Sequence, residues 1–489
     1  MQTVLKRPMT GHLIMCLALL GTYSCSGGNT LVTPSGPPGP SVQIIETTGD
    51  RAKLLQPQSA VRFTKGGSNS GLVITVNEST KYQQMDGFGA SLSDSSAWVV
   101  TNKLTAAQQS SLWQSLFNSS DGIGISFLRQ PMGATDFSAS GNYSYDDMPT
   151  GQADPTLANF SLAHDTAYII PLLQQALTVN PKLKITAVPW SPPGWMKTSG
   201  TMNGGNINTV YFPSLAQYFV KFVQGYQQQG IPIYAVMAQN EPLNSNSSYP
   251  TAYLAAADEA VFIGTNLGPA LSATGLGNVK IFGYDHNWDN TTYAEALLAD
   301  TSARSYLAGS AFHCYAGDVN AQFTVKNAYP NKDIWFTECS GTVGSNFADD
   351  LVWNAETLLI GATRNWGRSV SLWNLVLDQN SGPQNGGCTK CRGVVTVDES
   401  TIPATITNNV EYYILGHAAK FVQPGAYRID SNSFGHDSIE DVAFQNPDGS
   451  IVLLVLNSGE SSAFTVSWKA QTFTYNLPAG AVATFVWRE

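Results

Sequence analysis

The sequence predicts an α/β chain, a (β/α)8 TIM barrel with an attached β-sandwich side domain built from both chain ends. Two observations carry this prediction. Short β-rich runs alternate with amphipathic segments through the middle of the chain, the pattern of parallel βα units. Eight such runs can be counted, and eight units close into a barrel. The flanking pieces Val42–Val76 and Tyr427–Trp487 instead alternate apolar and polar residues between turns, notably Asn446-Pro447-Asp448-Gly449. They are expected to pair into one sandwich.

In chain order the elements are justified as follows. Lys6 and Arg7 precede an apolar stretch from Leu13 to Leu20, then Gly21, Ser24 and Cys25, which reads as a signal peptide over 1–25. The stretch is too short to span a bilayer. Cys25 is a candidate lipid anchor, although Thr22-Tyr23-Ser24 matches a lipoprotein box poorly. Residues 26–41, rich in Pro and Gly, form a linker, and residues 42–80 form the N-terminal part of the sandwich. The barrel covers 81–424. Its strands are expected at Met85–Ala90, Gly122–Arg129, Leu183–Val188, Ile233–Ala238, Val279–Tyr284, Gly309–Tyr315, Asp333–Thr337 and Val370–Leu375. Helices are expected over Leu104–Phe117, Ser214–Gln228, Thr251–Ile263, Tyr293–Leu307 and Phe347–Ala362. Residues 425–489 complete the sandwich.

Composition narrows the function. With 489 residues, 43% hydrophobic and 12% charged, the chain has ample core and is not a disordered protein. A net charge of −10 argues against a nucleic-acid partner. Aromatic-rich, charge-poor chains suit neutral ligands such as sugars. Outside the leader there are four cysteines: Cys314, Cys339, Cys388 and Cys391. Export permits disulfides. Cys388 and Cys391, two residues apart in a loop, are expected to bond to each other, and no second CxxC or His pair completes a zinc site. Cys314 and Cys339 follow strand ends and are expected to point away from the lumen, with their bonding left open.

The C-terminal ends of the strands bring Asp94, Arg129, Trp190, Asn240-Glu241, Asp285-His286, His313 with Tyr315, Glu338 and Trp373-Asn374 to one rim, where a barrel carries its active site. Polar strand ends alone would explain scattered Ser and Asn, but not two Glu, an Arg, two His and two Trp together. Glu241 and Glu338, ending the fourth and seventh strands, suit glycosidic cleavage: one protonates the leaving oxygen while the other attacks or activates water. Asn240 is placed to bind a sugar hydroxyl.

Several stretches resemble glycoside hydrolase family 30, which includes glucosylceramidase and microbial β-1,6-glucanases. They are Asp86-Gly-Phe-Gly-Ala-Ser-Leu-Ser-Asp94, Gly122-Ile-Gly-Ile-Ser-Phe-Leu-Arg-Gln-Pro-Met132, Asp136-Phe137-Ser138, Trp190-Ser-Pro-Pro-Gly-Trp-Met-Lys197, Gln239-Asn-Glu-Pro242, Phe336-Thr-Glu338 and Trp373-Asn374. The resemblance runs in order from about Asp86 to Asp398. It implies a barrel with a side β-domain and a retaining double displacement, with Glu241 as acid/base and Glu338 as nucleophile. It further implies that Asp94, Trp190, Asn240 and Trp373 hold the reacting sugar. Arg129 would support the nucleophile electrostatically, and His313 and Tyr315, in a His-x-Tyr stretch, would belong to the substrate-binding set, with the tyrosine hydroxyl able to hydrogen-bond the nucleophile. Against this, Trp190 and Trp373 could be core aromatics, and exposure at the rim discriminates.

Cys314 stands where glucosylceramidase has Trp, and Asp378–Arg392 is a polar, Gly-rich loop. The expected activity is therefore a secreted retaining β-glycosidase acting on β-glucan or oligoglucoside, as an endo-β-1,6-glucanase does. The alternatives are a glucosylceramidase-like exo-enzyme, a β-xylosidase or β-galactanase, and a catalytically silent carbohydrate-binding protein. No cofactor and no obligate protein partner are implied.

Overall fold

The computed structural model describes residues 39–66 and 71–489. The signal peptide with Cys25, and the linker up to residue 38, lie outside the described residues. The linker's last residues are already tied into the fold. Gly39 N–H donates to the Phe63 carbonyl, and Ser41 opens a strand.

Eight parallel strands close a barrel: Gly87–Ser91, Phe127–Pro131, Lys184–Val188, Ile233–Met237, Lys280–Asn287, Leu307–His313, Asp333–Glu338 and Gly367–Leu372. Each pairs with the next in chain order, and the last pairs with the first through Ser369 opposite Gly87. The second strand starts later than expected. Gly124 takes φ +70, and Gly122 sits where a Cβ would fall 2.3 Å from the Gln114 carbonyl oxygen. Residues 122–126 therefore form a tight loop, and Ile123 and Ile125 fill core from it. The helix expected from Thr251 begins only at Ala256, because Tyr253 and Leu254 donate their N–H groups to Gly205 and Pro242 carbonyls instead.

The short first strand is pinned from below. Asp86, 1% exposed, accepts from Lys184 Nζ at 2.5 Å, Trp335 Nε1 at 2.7 Å and Tyr234 OH at 2.8 Å, and also from the Arg368 guanidinium. One carboxylate thus gathers the third, fourth, seventh and eighth strands at the N-terminal end of the barrel. Above it Phe282 stacks on Trp335 with centroids 3.7 Å apart, and Met237, Phe127 and Val188 fill the lumen up to Trp190 and Trp373.

The second unit is one ten-stranded sheet folded on itself as a sandwich. The strand Leu72–Gln84 joins its two layers: Val76 to Gln84 pair with Tyr427–Ser431, and Leu72–Thr75 with Phe464–Ser467. The strand thereby runs past residue 80, the boundary expected from sequence. Ser41–Thr47 pairs antiparallel with Val482–Trp487, so both chain ends share one sheet. The layers close over Phe63, Trp468, Phe473, Phe485 and Trp487. Arg364 ties the barrel to this unit through the Asp441 and Ser431 carbonyls. His417 does so through Thr47 and Thr484, and burial lowers its pKa to about 3, leaving a neutral ring between two hydroxyls. No helix among the described residues is long and apolar enough to cross a membrane.

Burial opposes the charge on Asp86, but Arg368 and Lys184 favour it, and the net pKa lies below the ordinary carboxylate value. A depressed carboxylate stabilises the fold above its unfolded pKa, and that stabilisation fades as pH falls through the folded one. Asp86→Ala strands a buried guanidinium and ammonium, so urea unfolding at pH 7 should show a loss of about 3–5 kcal/mol. The variant should also lose part of the acid-side slope of stability against pH.

Candidate active site

The C-terminal rim is organised around Arg129, which lies in the second strand and is fully buried. Its Nη1 donates to Glu338 Oε2 at 2.5 Å, and its Nη2 donates to Asn240 Oδ1 and Asp285 Oδ2, each at 2.6 Å. Its guanidinium also lies 4.7 Å from the centre of the Trp190 ring. One cation from the second strand therefore fixes groups on the fourth, fifth and seventh.

Glu241 and Glu338 face each other across the mouth. One carboxylate oxygen of each, with a ring nitrogen of His313, lie within 4.8 Å of one another. His313 Nδ1 is 3.2 Å from Glu241 Oε1 and 4.0 Å from Glu338 Oε1, and its Nε2 is 3.2 Å from Asp285 Oδ1. Thr337 Oγ1 donates to that same Asp285 oxygen at 2.7 Å. Tyr315 OH donates to Glu338 Oε1 at 2.9 Å, and Asn244 Nδ2 donates to Glu241 Oε2 at 2.9 Å. Glu241 takes φ 46 and Asp285 φ 52, left-handed conformations that non-glycine residues adopt at a cost. The Glu241 N–H donates to the Asp285 carbonyl at 3.0 Å, so the two strained residues brace each other.

Burial is the largest influence on every pKa here. His313 is lowered by burial but raised more by Glu338 and Asp285, ending at about 9. Burial works to raise Glu241, but the His313 bond and charge bring it down to about 2. Glu338 is raised by burial, against the pull of His313 and Arg129. These shifts belong to one coupled cluster. The two directions agree in favouring an ionised Glu241 beside a charged His313, 3.2 Å away. The Glu241, His313 and Glu338 atoms could geometrically hold a cation, but Arg129 already delivers positive charge to Glu338.

Asp94 begins a helix, and its oxygens are held by Ala139 N–H at 2.7 Å, His164 Nε2 at 2.7 Å and the Tyr168 hydroxyl. A second acid, Asp136, lies close enough to both glutamates to feel their charge. It is 9% exposed, and its Oδ1 has no partner. Burial first, then the charges of Glu338 and Glu241, push its pKa well above the ordinary value. Its signal was in the sequence, in the Asp136-Phe137-Ser138 stretch after Arg129. Asp285 likewise lies near the C-terminal end of the fifth strand among the rim residues, without a role assigned from sequence.

Trp190 and Trp373 are each 3% exposed and stack on each other at 4.7 Å with 22° between their planes. Their broad faces are turned inward, so they floor the site rather than offer an open stacking platform. Asn240 is buried with its carbonyl oxygen on Arg129, and Tyr315 is 45% exposed at the mouth. Cys388 and Cys391 are bonded, as expected, and Cys314 and Cys339 are bonded too. The second bond joins the sixth and seventh strand ends one residue beyond His313 and Glu338. The Cys388 loop packs on Asp136: a Cβ on Gly387 would lie 2.2 Å from Asp136 Cβ.

Comparison with known proteins gives this geometry a lineage. Residues 85–422 match the model of the glycosyl hydrolase family 30 TIM-barrel domain, and residues 425–485 match that of the family 30 beta sandwich domain. An endo-1,6-beta-D-glucanase of Neurospora crassa is 35% identical over 466 residues, 88% of this chain and 95% of that protein. The lysosomal acid glucosylceramidase of Mus musculus is 32% identical over 477 residues, 91% of this chain and 88% of that protein. A solved endo-beta1,6-glucanase superposes with a TM-score of 0.84 at 33% identity, covering 92% of this chain and all of that one. With both domain models matched and the barrel, sandwich and facing glutamates in place, the chain belongs to glycoside hydrolase family 30, a family of retaining enzymes.

Proposed function

We propose that this chain is an exported endo-acting β-glucanase that cleaves β-1,6-glucosidic bonds by double displacement, with Glu338 as nucleophile and Glu241 as acid/base. The observation that carries the reading is the carboxylate pair, with oxygens within 4.8 Å. Retaining enzymes hold these groups about 5–5.5 Å apart, whereas inverting enzymes need about 6.5–9.5 Å to admit a water. Glu338 attacks the anomeric carbon, and Arg129 and Tyr315 keep its oxygens ionised and aimed. Glu241 protonates the departing oxygen, drawing on the proton it shares with His313, and then removes a proton from the incoming water. Asp136 and Asn240 bind hydroxyls of the reacting sugar over the Trp190–Trp373 floor. The leader over 1–25 adds export to this reading.

The β-1,6-glucan preference rests on the relatives' activities and on the rim. The Asp378–Arg392 segment is polar and closed by the Cys388–Cys391 bond. A further sugar needs hydrogen-bonding groups there, whereas two lipid chains need an apolar wall. The glucosylceramidase-like reading is supported by similarity to the mouse enzyme and to putative glucosylceramidases of Caenorhabditis elegans, which are 31–33% identical. Measuring kcat/KM on β-1,6-gluco-oligosaccharides and on detergent-dispersed glucosylceramide should favour the oligosaccharides, and a clear preference for the lipid would overturn the choice.

The glutamates separate by kinetics. Glu338→Ala should abolish turnover of every substrate, because no covalent intermediate can form. Glu241→Ala should still release good leaving groups and then stall, and added azide should rescue it with a β-configured glycosyl azide. An α-azide would reverse the roles.

Asp136→Ala should lower kcat/KM on an aryl β-glucoside by roughly ten- to a hundredfold, the loss of a hydrogen bond worth about 1.5–3 kcal/mol. Asp94→Ala should instead lower thermal stability while kcat/KM stays within about threefold. The opposite pattern would return the sugar contact to Asp94.

A further inference from the structure

Glu259 is a buried carboxyl that the reaction does not use. It lies on the helix Ala256–Val261, 1% exposed, behind the fifth strand. Its Oε1 accepts the Tyr284 N–H at 3.2 Å, and its Oε2 lies 2.7 Å from the Tyr293 hydroxyl. The same hydroxyl lies 2.7 Å from the Leu254 carbonyl oxygen. These contacts reach the site by two arms. Tyr284, with φ 74, opens the left-handed turn that aims Asp285 at Arg129, His313 and Thr337. Leu254 N–H donates at 2.8 Å to the carbonyl of Pro242, the residue after Glu241.

Counting protons decides the charge of this carboxyl. Three oxygens, those of Glu259 Oε2, Tyr293 and Leu254, stand in a row 2.7 Å apart, and a tyrosine has only one hydrogen. With Glu259 ionised, one of the two short contacts has no proton in it, and two acceptors face each other. With Glu259 protonated, its O–H donates to Tyr293, Tyr293 donates to Leu254, and Oε1 still accepts from Tyr284. Every group is then satisfied.

We propose that Glu259 is a positioning residue that works as a neutral carboxylic acid, and that its ionisation slackens the Asp285 and Pro242 arms and sets the alkaline limb of activity. The proposal rests on the double-displacement reading of Glu241 and Glu338. The groups that face Glu259 agree with it. Burial raises its pKa to about 7, the Tyr293 and Tyr284 donors only partly offset this, and Asp285 raises it further. From the packed helix Thr301–Tyr306, Arg304 bonds to the Leu298 carbonyl, and among the described residues Glu259 has no salt-bridge partner.

The test compares Glu259→Gln, Glu259→Ala and the parent enzyme on an aryl β-glucoside across the pH range. An amide reproduces the neutral acid, since its N–H₂ donates to Tyr293 and its oxygen accepts from Tyr284. Glu259→Gln should keep the parent kcat on the acid side and move the alkaline midpoint from about 7 toward the His313 value of about 9. Glu259→Ala should lower kcat about tenfold at every pH with KM within about twofold. An unmoved limb in Glu259→Gln, or a loss matching that of Glu259→Ala, overturns the proposal. Unfolding gives a readout independent of turnover. A raised carboxyl pKa makes stability fall as pH rises from the unfolded value of about 4.3 to the folded one, and Glu259→Gln should remove that slope. An unchanged slope overturns the neutral-acid assignment even if the alanine variant does not fold. Turnover by Glu338→Gln would overturn the double-displacement reading alone, leaving Glu259 to be judged by the slope.

Discussion

A buried guanidinium is the constraint on which the rest of the rim depends. Arg129 has no exposed surface, so its charge must be met inside the protein, and Glu338, Asn240 and Asp285 meet it. That requirement sets the register of the second, fourth, fifth and seventh strand ends relative to one another. It also explains why two non-glycine residues, Glu241 and Asp285, are kept in left-handed conformations: strain persists only where the surroundings over-determine it. With Arg129 and His313 both charged, the cluster balances most of the charge on three carboxylates, and the charges of Glu338 and Glu241 add to burial in raising the pKa of Asp136.

The barrel has a matching device at its other end. Asp86 collects two cations and two aromatic donors from four strands, as Arg129 collects acceptors. Charge at each end and stacked aromatics between them hold a barrel whose first strand is only Gly87–Ser91. The sandwich, by contrast, is held by apolar packing about Phe63 and Trp487, and it meets the barrel through the neutral His417, through the Arg364 guanidinium on the Asp441 and Ser431 carbonyls and the Asp441 carboxylate, and through His436 on Glu356.

Most of this architecture was legible because period and strand-end chemistry are local. The eight strands, the facing glutamates and Arg129 could be read from runs of apolar residues and the polar residue that ends each one. Asp94 and Asp136 could not be told apart that way, since both are acids in loops beyond a strand end, and only the folded loops show that His164 and Tyr168 already occupy the first. Trp190 and Trp373 were placed at the rim correctly, but which way an indole face turns depends on its neighbour, here each other. The Cys314–Cys339 bond depended on two strands being adjacent, which spacing alone did not reveal. Glu259 left no mark at all: an acid in a helical run reads as solvated surface until its partners are known.

The shared sheet of the two chain ends has a consequence for biosynthesis. The strand Ser41–Thr47 is made before the barrel, but its partner Val482–Trp487 is made after it. At about 5–20 residues per second, the nascent chain waits for tens of seconds with that edge unpaired. The barrel's local βα units can form meanwhile, because each closes on its chain neighbour, but the sandwich cannot. Its completion therefore waits until the whole barrel has been made, and a chain truncated before Val482 loses the strand that pairs with Ser41–Thr47.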